Sequence, residues 1–151
     1  MTSLLLSPAL RAELLIYARE ALPHEACGLL LGTRAEKRFE LHTLRPSKNL
    51  HPHSEDRFLI DPLDYGRAEK YCLKHTAENL SVLGFYHSHP HGPAQPSAID
   101  LADARELQRS FPARYLYIII APQAADDSAQ VRVWRLNEAG LEFEEVNLAA
   151  T

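Results

Sequence analysis

The spacing of apolar and polar residues predicts three helices along the chain. The first begins at Ser7-Pro8, a capping residue followed by proline, and continues at helical spacing to about Ala21. A second is expected from Asp61-Pro62 to about Asn79, and a third over residues 98–110. Each starts at a side chain that can accept hydrogen bonds from the first-turn N–H groups, which favours a helix start there.

Strands are predicted where short apolar runs lie between polar or glycine-containing segments. The runs 26–32 and 115–120 are apolar almost throughout, which is typical of buried central strands. The full set of predicted strands is 26–32, 38–45, 58–60, 82–88, 114–121 and 130–136, with a last one near 141–147. A polar segment, 46–57, is the longest expected loop. The pattern indicates a mixed α/β fold in one domain over 1–151.

Composition narrows the function classes only slightly. The 151 residues are 46% hydrophobic and 24% charged, as in ordinary soluble globular proteins. A formal net charge of −4 argues against a general nucleic-acid-binding surface. No apolar run reaches the ~20 residues that cross a membrane, and Leu4-Leu5-Leu6 is too short for an export signal. With only Cys27 and Cys72 as thiols, a cytoplasmic location is expected.

The richest candidate chemistry follows the predicted strand 82–88. His87 and His89 are two residues apart, so both imidazoles point to the same side of a strand. Asp100 could add a carboxylate oxygen and leave a fourth tetrahedral position for water, as in catalytic zinc sites. Ser97 and Asp100 also fit a capping box at the start of the third helix. Both roles are compatible, because a helix start holds its side chains rigidly.

Other metal signatures are missing from the sequence. It contains no His-Glu-x-x-His, and Cys27 and Cys72 are too far apart for Cys-x-x-Cys, which excludes zinc ribbons and nucleobase deaminases. A second His-x-His pair, His51 and His53, lies in the polar loop without a neighbouring carboxylate on a regular element. A surface pair is therefore the favoured interpretation of these two histidines.

Glu25 is the best candidate for the general base that a zinc-activated water requires. It lies at the mouth of the apolar run 26–32, whereas most other acidic residues fall on solvated patterns. It also follows Pro23 closely and could be a plain loop residue. Cys27 would share a strand face with Glu25, but a cysteine in an apolar strand is more often a packing residue than a nucleophile.

Together these residues resemble the JAMM (MPN+) zinc metalloprotease family, in its small stand-alone bacterial form. The positions that carry the resemblance are Glu25 within Pro23–Gly32, His87 and His89 in His87-Ser88-His89-Pro90, Ser97 after seven residues, and Asp100 three further on. Asn49 and the later Phe58-Leu59-Ile60-Asp61 also resemble the middle of bacterial members. The similarity extends to about Trp134, and none of the five motif positions departs from the pattern.

The resemblance implies a role for each motif residue. His87, His89 and Asp100 would bind Zn2+, Glu25 would be the general base, and Ser97 would hydrogen-bond the carbonyl oxygen or oxyanion of the substrate. It also implies the architecture, a curved and mostly antiparallel sheet flanked by helices, in a layout like that of cytidine deaminases.

The implied function is a zinc-dependent metallopeptidase or isopeptidase with deubiquitinase-like activity. Its substrates would be peptide or isopeptide bonds next to the C-terminal Gly-Gly of a ubiquitin-like or sulfur-carrier protein, and a homodimer is a further expectation. Two alternatives stay open. One is a small-molecule amide metallohydrolase, and the other is a non-catalytic interaction or scaffold module with the same fold.

Overall fold

The computed structural model describes residues 1–111 and 113–150. Pro112 and Thr151 are part of the domain predicted over 1–151 but lie outside the described residues. The strands of the described residues are β1 (Ser3–Leu6), β2 (Cys27–Arg34), β3 (Arg38–Ser47), β4 (Ser81–Ser88), β5 (Leu116–Ile120), β6 (Val131–Leu136) and β7 (Phe143–Ala150). The α-helices are α1 (Pro8–Ala21), α2 (Pro62–Lys74), α3 (Ala98–Ser110) and the single turn α4 (Asp127–Gln130). No helix in this part of the chain combines the length and the apolar content needed to cross a membrane.

The seven strands close into a barrel in the order β1-β3-β2-β4-β5-β6-β7. The pairs β2–β3, β2–β4, β5–β6 and β6–β7 are antiparallel, whereas β4–β5 and both pairings of β1 are parallel. Closure into a barrel corrects the expected curved sheet. It depends on β1, whose run Leu4-Leu5-Leu6 is too short to show a strand period, and whose partners lie far away in the sequence.

Helices cover the two faces of the sheet unequally. Successive residues of a strand point to opposite faces. On β2, Leu30 therefore joins the core cluster that contains Leu14 of α1, whereas Leu29 joins the cluster that contains Ala68 of α2 and Ala104 of α3. The face beneath α2 and α3 is the one on which the candidate ligands lie.

The predicted helix starts are confirmed, and one predicted helix end is wrong. Ser7 caps α1, with its Oγ accepting from the Leu10 amide at 3.2 Å, and α3 spans 98–110 as expected. The second helix ends at Lys74 instead of Asn79. A short 3-10 turn follows it, and Asn79 has a φ of 55°, a left-handed conformation that asparagine tolerates better than most residues.

The predicted strand at 58–60 is wrong. Among the described residues this segment makes only an isolated bridge between Asn49 and Ile60. The chain around it is held by a bond from the Leu50 amide to the Leu59 carbonyl at 3.0 Å and by the side chain of Asn49. The strands expected at 26–32, 38–45, 82–88, 114–121 and 130–136 all form, with ends shifted by a few residues. The last strand, expected near 141–147, runs from Phe143 to Ala150.

Gly84 provides a test of the close contact between β4 and β5. A Cβ at this position would overlap the carbonyl oxygen of Leu116, a backbone atom that cannot move alone. We expect Gly84→Ala to lower the free energy of unfolding, measured with urea, by about 3 kcal/mol or more. The control is Gly66→Ala on α2, where the Cβ position is open and stability should rise by roughly 0.5–1 kcal/mol. Equal stability of Gly84→Ala and wild type would contradict the contact.

Candidate functional site

β4 carries both histidines of the motif to the face covered by α2 and α3. Phe85 packs in the core cluster of that face, and His87 and His89 follow at two-residue steps. His87 is 1% exposed, and its ring stacks on Phe58 with centroids 4.4 Å apart. His89 lies just beyond β4, but its amide donates to the carbonyl of Ile120 at 2.8 Å. The pairing with β5 therefore continues to the second histidine.

The start of α3 brings Asp100 to the histidines. Ser97 Oγ accepts from the Asp100 amide at 3.0 Å, and Asp100 Oδ2 accepts from the Ser97 amide at 2.9 Å, which forms a capping box. The same Oδ2 lies 3.2 Å from His87 Nε2 and 3.1 Å from His89 Nε2. The cap thus holds the carboxylate in a position that faces both imidazoles.

The three candidate ligand atoms form a small triangle. The two Nε2 atoms of His87 and His89 are 3.1 Å apart, so all three separations are 3.1–3.2 Å. Tetrahedral zinc with bonds of about 2.0–2.1 Å requires ligand atoms about 3.3–3.4 Å apart, close to these values. His89 Nδ1 donates to the Pro93 carbonyl at 2.8 Å, which leaves the Nε2 lone pair for an ion. This His-His-Asp group is able to bind a metal ion.

The electrostatics of the triangle suit a cation. Burial by itself would raise the pKa of Asp100, but hydrogen bonds to His87 and His89 outweigh it and hold that pKa well below its usual range. Burial lowers the pKa of His87, whereas the bonds of His89 to Asp100 and Pro93 outweigh burial and raise its pKa. The ionised carboxylate of Asp100 and the neutral imidazole of His87 are forms that bind metals, whereas a metal ion bound at His89 would displace the proton that its raised pKa favours.

Glu25 approaches the same site from the start of β2. Cys27 of β2 pairs with His87 of β4, and the pairing continues to Ala26, whose carbonyl accepts from the Ser88 amide at 3.0 Å, so Glu25 follows on the side of His89. Its side chain is buried, and this burial raises its pKa to about 8; His89 lowers the pKa and Asp100 raises it further. A buried carboxyl group that titrates near neutrality suits proton transfer.

The second His-x-His pair and the two cysteines do not belong to the triangle of candidate ligand atoms. His51 and His53 have their rings 5.9 Å apart and belong to no cluster of three potential ligands within residues 1–111 and 113–150. Cys27 and Cys72 are free thiols. Burial, with Glu25 and Asp64 nearby, raises the pKa of Cys27 to about 12, so this thiol is a poor nucleophile.

An apolar pocket of about 460 Å³ opens beside His87 and Asp100. Its lining is rich in aromatic side chains, namely Phe58, Tyr65, Phe85, Phe111, Tyr115, Tyr117 and Phe143. Sequence reasoning missed this pocket because the lining comes from the segment before α2, both large helices and several strands. No local pattern brings residues so far apart in the chain together.

Metal binding can be tested on the two His-x-His pairs. We expect wild type to retain about one zinc ion per chain after dialysis, by analogy with three-ligand sites. His87→Ala should weaken zinc binding by more than about 100-fold, because losing a ligand costs more than losing an outer partner. Calorimetric titration measures the number of zinc ions bound per chain and the affinity. The matched control is His53→Ala, from the surface pair of histidines. Equal zinc affinity of His87→Ala and His53→Ala would contradict the assigned ligands.

Known proteins similar to this chain include two with functional names. A Haloferax volcanii protein named "Desampylase" is 31% identical over 157 aligned residues, which cover 99% of each chain. A Thermus thermophilus protein named "Probable TtuB-protein conjugate cleaving protease" is 43% identical over 95 residues. That match covers 63% of this chain and 56% of the Thermus protein, so the aligned part is little more than half of that relative.

Two solution structures share the fold. One, from Desulfitobacterium hafniense, has a TM-score of 0.78 and 31% identity and covers 100% of this chain and 93% of its own. The other, from Salinibacter ruber, has a TM-score of 0.65 and 27% identity and covers 100% and 92%. A family model described as prokaryotic homologs of the JAB domain matches residues 7–137, from the cap of α1 to just beyond β6. The match confirms the resemblance read from the motif, and the chain belongs to the prokaryotic homologues of the JAB domain.

Proposed function

We propose that this protein is a zinc-dependent peptidase or isopeptidase. Its substrates would be bonds next to the C-terminal Gly-Gly of a ubiquitin-like or sulfur-carrier protein. The observation that carries the proposal is the convergence of two imidazole nitrogens and one carboxylate oxygen, 3.1–3.2 Å apart, beside the buried Glu25. The names of the two relatives support it, since one is called a protease that cleaves a protein conjugate.

His87, His89 and Asp100 would hold the zinc ion. Bound there, zinc would supply Lewis acidity to the scissile carbonyl and to the attacking water. The capping box keeps the Asp100 carboxylate in place, and the Pro93 carbonyl sets the tautomer of His89. Hydrogen bonds of the fold therefore orient two of the three proposed ligand side chains, Asp100 and His89.

Glu25 would act as the general base and then as the general acid. Its carboxylate takes a proton from the attacking water, and the protonated form gives that proton to the leaving amine. Burial raises the pKa of Glu25 toward neutral pH, so the same group can take up a proton from water and later return it to the leaving amine. The carboxyl group of Glu25 lies close enough to His89 and Asp100 for their charges to shift its pKa, which supports this role.

Ser97 has a hydrogen available for the substrate oxygen. Its Oγ accepts from the Asp100 amide at 3.0 Å, so the hydroxyl proton is free to donate elsewhere. Donation to a developing oxyanion would contribute roughly 3 kcal/mol to the transition state. The same hydroxyl can thus cap α3 and assist the reaction.

One observation favours the small-molecule amide hydrolase as the second candidate. The apolar pocket beside His87 has a volume of about 460 Å³, within the range of sites that enclose small ligands. A carrier with a Gly-Gly tail should inhibit a carrier-specific enzyme and leave a small-molecule enzyme unaffected. Competition by such a carrier therefore separates the two candidates.

Two further expectations belong to this proposal. A homodimer would use exposed apolar residues of α1 or α2, such as Ile16 and Leu73. A reducing cytoplasm is the expected compartment, and the free thiols of Cys27 and Cys72 agree with it.

The activity test uses carriers extended beyond Gly-Gly, some by a peptide bond and some through a lysine side chain. We expect zinc-loaded wild type to remove the extension, as read by intact mass. Glu25→Gln should lower kcat by about 100- to 10,000-fold, because it removes the proton-transfer group while keeping its shape. Glu20→Gln, on the exposed surface of α1, is the matched control. No cleavage of any extended carrier by wild type that holds one zinc ion would contradict the proposed substrate class.

The role of Ser97 predicts a separate pair of effects. Ser97→Ala should lower kcat by about 100-fold and also cost about 1 kcal/mol of stability, because it removes both the donor and the helix cap. Ser97→Thr keeps a hydroxyl that can serve in both places and should stay close to wild type. If Ser97→Ala loses stability but keeps its kcat, Ser97 acts only as a cap.

A further inference from the structure

The side chain of Asn49 uses all four of its hydrogen-bonding positions. Its Nδ2 donates to the carbonyl oxygen of Glu25 at 3.1 Å and to that of Arg57 at 2.9 Å. Its Oδ1 accepts from the amide of His51 at 3.0 Å and from that of Leu59 at 3.1 Å. A carboxamide offers two donors and two acceptor lone pairs, so Asn49 is fully satisfied by backbone groups alone.

The segment 49–60 holds the backbone of Glu25 on both sides. The Glu25 amide donates to the Ser54 carbonyl at 2.7 Å, and the Glu25 carbonyl accepts from Asn49. Glu25 precedes β2, and the pairing with β4 continues as far as Ala26, whose carbonyl accepts from the Ser88 amide at 3.0 Å. The amide and the carbonyl of Glu25 itself are therefore not restrained by the sheet. These two hydrogen bonds supply that restraint instead.

Asn49 also fixes the residue that covers a candidate ligand. Arg57 and Leu59, whose backbone groups bond to Asn49, flank Phe58 directly. The Phe58 ring stacks on His87 at 4.4 Å with an interplanar angle of 18°. Among the described residues the buried Nδ1 of His87 has no hydrogen-bond partner, so the imidazole is held by the contacts of its Nε2 and by packing against Phe58.

We propose that Asn49 is a positioning residue, which fixes Glu25 and Phe58 relative to His87 and so aligns the base with the metal ligands. Asn49 acts through these two residues and has all of its own polar atoms engaged with backbone. The inference rests on the proposed function, in which Glu25 is the base. Displacing a catalytic group by about 1 Å can cost about 100-fold in rate, so a loosened segment 49–60 should be costly.

Two variants separate the bonds of Asn49. Asn49→Ala removes all four. Asn49→Asp has nearly the same shape and keeps the two acceptor bonds that shape the segment, but it cannot donate to the carbonyls of Glu25 and Arg57. The matched control is Asn137→Ala, because Asn137 Oδ1 accepts from the Leu141 amide at 3.0 Å in the turn between β6 and β7. Asn137 does not line the apolar pocket and does not belong to the His-His-Asp group.

Turnover of an extended carrier by the zinc-loaded variants is the first readout. Both Asn49 variants should lower kcat by about 100-fold and change KM less than kcat, since every polar atom of the Asn49 side chain is engaged with backbone and none is free for substrate. Asn137→Ala should lose stability but keep its kcat. Thermal unfolding checks that every variant is folded at the assay temperature. An unchanged kcat in both folded Asn49 variants would overturn the proposal, whatever their stability.

Hydrogen exchange at the Glu25 amide, resolved by NMR, is the second readout and needs no turnover. Both Asn49 variants should speed this exchange by about 10-fold, because the hydrogen bond to Ser54 depends on the segment that Asn49 holds. Asn137→Ala should leave it unchanged. If wild type cleaves no carrier, the proposed function fails, and the exchange still decides whether Asn49 holds Glu25. Unchanged exchange at Glu25 in both Asn49 variants would overturn the inference.

Discussion

The antiparallel pairing of β2 with β4 is the constraint on which the candidate site depends. Cys27 stands opposite His87, and the pairing continues through Ala26 and Ser88, so Glu25 and His89 follow at the same end of the two strands. A slip of one residue would turn every side chain of a strand to the other face. Gly28 helps to hold the register, because the ring of its partner Tyr86 occupies the space that a Cβ would need.

Hydrogen bonds that stabilise the local fold also shape the site. The capping box that starts α3 holds the carboxylate of Asp100 against the two imidazoles. The side-chain carboxamide of Asn49 forms hydrogen bonds with backbone groups of an irregular segment. The same bonds restrain Glu25 and Phe58. These hydrogen bonds lie where the proposed chemistry requires rigid groups.

Local patterns predicted the elements that carry the motif. The cap at Ser97 and the bounds of α3 followed from neighbouring residues, and the shared side of His87 and His89 followed from strand alternation. The strand predicted at 58–60 is reduced to an isolated bridge between Asn49 and Ile60, and the Leu59 amide bonds to the side chain of Asn49 instead of to a strand. Such bonds depend on which residue of another segment lies nearby, and the spacing of apolar residues does not predict that.

The sequence by itself determined the family, the candidate ligands, the candidate base and the mixed α/β class, because each depends on residue type and on short spacing. Tertiary structure decided the closure of the barrel through β1, the burial of Glu25 and the role inferred for Asn49. It also formed the aromatic pocket beside His87. These features arise from contacts between segments far apart in the chain, and only the pairing of strands and the packing of helices specifies which segments meet.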